Sequence, residues 1–264
     1  MAAASNPAPA QQVLLRSPEE ILRIGFERAS VVIVNACHNG MLRSRRTRAV
    51  GCRLLPVAHE AGVRHLAMEA LTPQFADEAN LTRRLPHVPV TWGYLAQPDM
   101  RDLIADALAL GWALVPYECE FHLQPGQSKD YFGTLEFANW RDAEEARNLA
   151  EFLDAAPQGT KLLVWCGNSH QRKTPQQYRT GGTWIRLGQR LAERGVEPFV
   201  IDQSVTVEYR AETSPRIADV ERFRVELAAL GGTAGFLRED DLDPRWRADL
   251  SADAYVLSVD NRME

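Results

Sequence analysis

Apolar residues follow two rhythms along this chain. Short uninterrupted apolar runs bounded by polar residues read as strands buried on both faces; they lie at Ser30–Val34, Val63–Met68, Trp112–Tyr117, Leu162–Cys166, Val196–Asp202, Ser204–Tyr209 and Ala254–Val259. Between most of them, apolar positions recur at helical spacing. Ser17-Pro18-Glu19-Glu20 supplies a cap, a first-turn proline and two acids suited to a helix dipole, opening a helix to about Arg28. Further helices are expected over Met41–Ala61 (ended by Gly62), Pro98–Leu110 (ended by Gly111), Asn139–Asp154, Trp184–Arg194 (ended by Gly195) and Ile217–Leu230. Thr72 to Pro89 carries Pro73, Pro86 and Pro89 and reads as a loop-rich insertion over the site, and Thr174 to Gly182 as a flexible lid. Strands alternating with helices predict a single α/β domain, a mostly parallel central sheet with helices on both faces. Residues 1–16, rich in Ala, Pro and Ser, are expected as a disordered tail, with the domain over 17–264.

The groups carried at the strand ends matter more than the strands themselves. Val31–Val34 is followed by Asn35-Ala36-Cys37-His38, and Leu162–Cys166 by Gly167-Asn168-Ser169-His170, so two apolar runs each deliver a histidine at the same offset. Val63–Met68 delivers Glu69, and Trp112–Tyr117 delivers Glu118. In a parallel sheet all four groups open onto the carboxyl edge, where such folds bind ligands. One helix and one strand separate His38 from Glu69, a spacing that a βαβ unit would bring side by side. The helix after His38 begins with an arginine-rich stretch, and Arg46 and Arg48 are candidates to face an anionic or carbonyl-bearing ligand.

Two imidazoles with one or two carboxylates can activate water by general base catalysis, or hold a divalent metal that supplies hydroxide. No GxSxG elbow, Walker loop or GxGxxG motif occurs, so a nucleophilic serine and nucleotide binding lack support. Cys37 adjoins His38, but successive strand residues face opposite sides, which makes it a core position.

The net charge of −5 removes any global attraction to nucleic acid or anionic membranes, and no apolar run is long enough to span a bilayer. Four cysteines without CxxC pairing read as reduced thiols and a cytoplasmic setting. At 264 residues with 45% hydrophobic content, the chain can bury the core of one large α/β unit.

Taken in order, VIVNACH ending at His38, HLAMEAL with Glu69, the helix RDAEEARNLAEFL with Arg141, Asp142, Ala146 and Asn148, LLVWCGNSH ending at His170, and DAYVLSV resemble the erythromycin esterase-like proteins. That family is grouped with the Tiki-type proteases and the ChaN-like haem-uptake proteins, and the resemblance runs from about residue 30 to 260. It implies an α/β fold and hydrolysis of an ester, lactone or amide by an activated water. His38 would be the general base, with Glu69 and His170 supporting it. Asn35, Arg46, Arg48, Glu118, Arg141 and Asn168 would bind substrate or orient those groups. Where esterase members have Gly-Glu before the first histidine, this chain has Val34-Asn35, and asparagine cannot act as a base. Two alternatives stay open: a metal-dependent hydrolase or peptidase with His38, Glu69 and His170 as ligands, and a non-catalytic ligand- or haem-binding protein. No cofactor is implied outright, and the expected partner is a small-molecule substrate.

Overall fold

Val31–Ala36 (β1) is buried at every position, as a strand covered on both faces must be. In this computed structural model the described residues are 14–36, 41–87, 95–120, 129–167, 169–204, 223, 226–240 and 247–258, without the side chains of 41–46 and 129–130. A seven-stranded sheet runs in the order β3-β2-β4-β1-β7-β9-β8, with β2 His65–Met68, β3 Ala113–Pro116, β4 Leu162–Gly167, β7 Phe199–Asp202, β8 Thr233–Leu237 and β9 Ala254–Ser258. All its pairings are parallel except that between β8 and β9.

Alternation along the central strands divides the core in two. Val32, Val34, Leu163 and Trp165 join one apolar cluster with α1 (Pro18–Arg28), α2 (Met41–Glu60) and α4 (Pro98–Ala109). Val31, Ile33, Val164 and Cys166 join the other, with α5 (Leu135–Ala155) and α6 (Leu187–Glu193). Helix α2 lies close because residue 51 is glycine: a Cβ there would stand 2.7 Å from the Trp165 ring.

Several expectations need correction. β4 lies between β1 and β2, so the first two strands are not neighbours, and Glu69 meets the end of β4 instead. Pro73–Thr82 is a helix (α3) rather than a loop: Thr72 caps it by accepting from the Phe75 N–H at 3.2 Å, and Phe75, Ala76 and Ala79 enter the core. It packs against β3. The Asn80 amide donates to the Leu114 carbonyl at 2.9 Å and accepts from the Leu114 N–H at 2.7 Å, filling the open side of edge strand β3.

The expected lid is a hairpin of β5 (Gln176–Gln177) and β6 (Thr183–Trp184), turned through Gly181 and Gly182 at φ 98° and 86°. Helix α5 starts four residues earlier than its expected Asn139, at Leu135, where Thr134 accepts from the Phe137 N–H. Strand β8 was not expected. Arg16, placed by the sequence in the tail, forms an antiparallel bridge with Gly235 of β8. The expected strand Ser204–Tyr209 falls, beyond Ser204, outside the described residues, as does most of the helix Ile217–Leu230.

Candidate active site

The carboxyl ends of β2, β3 and β4 meet the second and third turns of α5. The Glu69 N–H extends the ladder to the Trp165 carbonyl at 3.0 Å, fixing the backbone of the residue that follows β2. The next residue, Ala70, turns the chain away at φ 69°, a left-handed conformation that alanine rarely adopts. Glu69 Oε2 accepts from the Gly167 N–H at 2.5 Å, and Oε1 accepts from Arg141 Nη2 at 2.7 Å. Glu118 grips the same guanidinium in a bidentate pair: Arg141 Nε donates to Oε1 at 2.8 Å and Nη2 to Oε2 at 2.5 Å.

Arg141 therefore sits among carboxylates, with Glu145 Oε1 a third at 3.1 Å from Nε. That N–H is committed to Glu118, so the Glu145 contact has the distance of an ion pair without the geometry of a hydrogen bond, and among the described residues both Glu145 oxygens lack a hydrogen-bond partner. Burial pushes the Glu145 carboxyl well above the usual carboxylate range, against the opposing pull of Arg141. Burial alone would lower the arginine, but Glu145, Glu118 and Glu69 outweigh it and hold the charge on.

His170 lies in the turn after β4. Its Nδ1 is 2.7 Å from Asp142 Oδ1, and its Nε2 is 3.4 Å from Arg141 Nη1. A guanidinium only donates, so Nε2 must present a lone pair. The proton of a neutral ring then lies on Nδ1, donated to Asp142, and both neighbours select the same tautomer. Asp142 is fully buried and also accepts from Trp184 Nε1 at 2.6 Å and the Leu187 N–H at 3.1 Å. Gly188 closes this arrangement from behind. Its N–H donates to the His170 carbonyl at 3.2 Å, and a Cβ there would fall 2.1 Å from the Gln171 carbonyl oxygen.

Of the residues read from the sequence, Glu69, Glu118, Arg141 and His170 come together in one network. Among the described residues, Asn35 bonds elsewhere. Level with Cys166 in the ladder, it donates to Asp202 at 3.0 Å and accepts from the Gln203 N–H at 2.6 Å. Its amide thus ties β1 to β7, a structural task that a glutamate beside Asp202 would perform poorly. Arg48 is buried on α2, while His38, Asn168 and the side chain of Arg46 lie outside the described residues.

The sequence reading of site residues passed over Asp142, Glu145, Trp184 and Arg186. Two of these carried a signal: Asp142 and Glu145 continue the apolar face Ala146, Leu149 and Leu153 toward the helix start, which marks them as inward-facing acids.

Among the described residues, the ligand atoms of Asp142, Glu145 and His170 lie within 4.8 Å of one another. They are a poor fit to a divalent ion as arranged. Asp142 already accepts from three donors, and an ion at Nδ1 would move the ring proton to Nε2, against the N–H groups of Arg141.

No protein-family model matches the chain, and no curated protein does. Among solved structures, an erythromycin esterase, EreC, in its open conformation superposes with a TM-score of 0.56 at 14% identity, over 91% of this chain and 92% of that one. The type III effector HopBA1 gives 0.52 at 15% identity, over 96% and 99%. The MARTX toxin effector domain RRSP from Vibrio vulnificus gives 0.49 at 15% identity and 72% coverage of this chain, which spans only 36% of that structure; two further bacterial toxin structures are matched over 36% and 37% of their length. At such identities the likeness speaks to architecture, and on architecture the chain has a distant fold relationship to the erythromycin esterase.

Proposed function

We propose that this protein is a hydrolase in which His170, held by Asp142, activates a water for attack on an ester, lactone or amide carbonyl. The observation that carries the reading is the placement of His170, with Nδ1 2.7 Å from a buried carboxylate and Nε2 3.4 Å from a guanidinium, which together favour the Nδ1–H tautomer. In the proposed cycle, a water displaces the long Arg141 contact at Nε2 and gives its proton to the ring as its oxygen bonds to the carbonyl carbon. The oxyanion forms next to Arg141 Nη1, whose only contact among the described residues is the long one to His170. Collapse expels the leaving alkoxide or amine, which takes the proton back from Nε2. Glu69 and Glu118 hold Arg141 in place.

The resemblance assigns the base to His38. The Asp142 pairing favours giving that role to His170, with His38, which follows β1 in the sequence, kept as the second imidazole. A cytoplasmic setting is in keeping with the free thiols Cys52, Cys119 and Cys166, and the substrate proposed is a small molecule.

The test is a panel of aryl esters, lactones and anilides offered to the wild type, His170→Asn and Asp142→Asn. Hydrolysis by the wild type that falls in both variants and resists chelator supports the reading. Hydrolysis lost with chelator and restored by a divalent metal favours a second reading, suggested by the proximity of Asp142, Glu145 and His170. Equal rates in all three proteins would remove His170 from the mechanism.

A further inference from the structure

Arg186 is an unusual neighbour for a catalytic pair. Only 3% of the residue is exposed, and its guanidinium carbon lies 3.1 Å from the centroid of the Trp184 ring, a stacked cation–π contact. Nη2 donates to Gln176 Oε1 at 2.7 Å and to Ser169 Oγ, and Nε donates to Gln176 Oε1 at 3.1 Å. Nη1 is buried without a hydrogen bond and lies 3.9 Å from Asp142 Oδ2. One side chain thus ties the hairpin, through Gln176 and the indole, to the β4 turn that carries His170, and points its remaining donor at Asp142.

The indole is held from several sides. Arg186 covers one face, the Tyr178 ring meets it edge-on at 5.1 Å, and the His170 ring meets it edge-on at 6.1 Å. Its N–H has a single acceptor, Asp142 Oδ2 at 2.6 Å. A rotated indole would lose that bond, and Asp142 would be freed to turn away from Nδ1. Burial lowers Arg186 to about 10, so at neutral pH it still carries its charge.

We propose that Arg186 is a positioning residue for the Asp142–His170 pair, acting through the stacked Trp184 indole and through its charge facing Asp142. This rests on the hydrolase reading above, and it adds a mechanism: the hairpin is the clamp that fixes the tautomer of His170. Displacing the hairpin would therefore loosen the hold on the base.

The experiment reads the tautomer directly by nitrogen NMR of histidine-labelled protein, comparing the wild type with Arg186→Met, Arg186→Lys and Trp184→Phe. Folding is verified in each by circular dichroism. The expected result is a single Nδ1–H tautomer for His170 in the wild type, mixed tautomers in Arg186→Met and Trp184→Phe, and partial recovery in Arg186→Lys, which keeps the charge without the planar stack. On any ester hydrolysed by the wild type, kcat should fall roughly tenfold to a hundredfold in Arg186→Met with little change in KM. Folded variants that retain the wild-type tautomer overturn the role of Arg186 alone. A wild-type His170 protonated at Nε2 overturns the general-base reading beneath it.

Discussion

The ring of His170 lies between two consecutive residues of one helix, with Asp142 2.7 Å from Nδ1 and Arg141 3.4 Å from Nε2. Adjacent helical positions point about 100° apart, and here that divergence lets one turn of α5 grip both sides of a single imidazole. Orienter and electrostatic partner arrive together on one rigid element.

Asp142→Asn should therefore preserve the fold and damage the chemistry. An amide can donate to Nδ1 and stabilise the opposite tautomer, placing the proton on Nε2. By analogy with other Asp–His pairs, a loss of about a hundredfold to ten-thousandfold in kcat is expected. Steady-state kinetics on the best ester of the panel would measure it, with thermal unfolding as the control. A loss of less than twofold contradicts the assignment.

Arg141→Met tests the cluster as structure. Removing the guanidinium leaves Glu69, Glu118 and Glu145 facing one another with little solvent. Breaking such a pair typically costs about 3–5 kcal/mol. Urea denaturation at neutral pH should show a loss of that order, and acidic pH should restore part of it as the stranded carboxylates take up protons. Unchanged stability would mean that solvent already screens the cluster.

Glu145 gives a pH dependence with a defined sign. Its folded carboxyl is raised above the ordinary 4.5 by burial, so the folded state holds this proton more tightly than the unfolded chain does. The associated stability is complete below 4.5 and is lost as pH rises from there through the folded value. Glu145→Gln removes this term. Relative to the wild type, the variant should gain stability progressively as pH rises above the ordinary carboxylate range, as measured by denaturation across pH 4 to 8, a range of about four units. A difference that stays flat over that range would show Glu145 ionised throughout.

Gly188→Ala should be severe for steric reasons alone. The added methyl meets the backbone carbonyls of Gln171 and Arg172 at 2.1 and 2.8 Å, and backbone cannot move aside as a flexible side chain could. Helix α6 must lift from the His170 turn, at a cost of about 1–3 kcal/mol or more. Calorimetry would register the destabilisation, and the His170 nitrogen resonances would register the displaced turn. A melting temperature within a degree or two of the wild type would contradict the packing described.

The carboxyl-edge arrangement was legible because buried parallel strands are apolar runs, and the polar residues just past each run must lie at the sheet edge. Glu69, Glu118 and His170 could be placed on that basis. Their true neighbours could not, since nothing local in VIVNA or HLAM specifies that β4 inserts between the two strands. Prolines misled at α3, where Pro73 occupies a helical first turn and Thr72 the cap. At the hairpin, which the sequence did not reveal, Gly181 and Gly182 supply the positive φ of the turn, and Tyr178 packs against Trp184. Strand β8 went unseen because TAGFL is short and contains a glycine; Gly235 is required there, since a Cβ would lie 2.2 Å from the Tyr255 carbonyl. Trp184 and Arg186 were expected inside a helix from Trp184 to Arg194, but Trp184 lies in β6 and Arg186 caps α6, which starts only at Leu187, so their importance exists only in three dimensions.

The Asn80 amide sets a limit on assembly. By occupying the donor and acceptor of Leu114, one side chain does at the β3 edge what a further strand would do. Neither a second copy of this chain nor an extended peptide can lengthen the sheet at that position without first expelling Asn80. Growth of the sheet past β3 is thus opposed at Leu114, the middle of the strand that leads to Glu118.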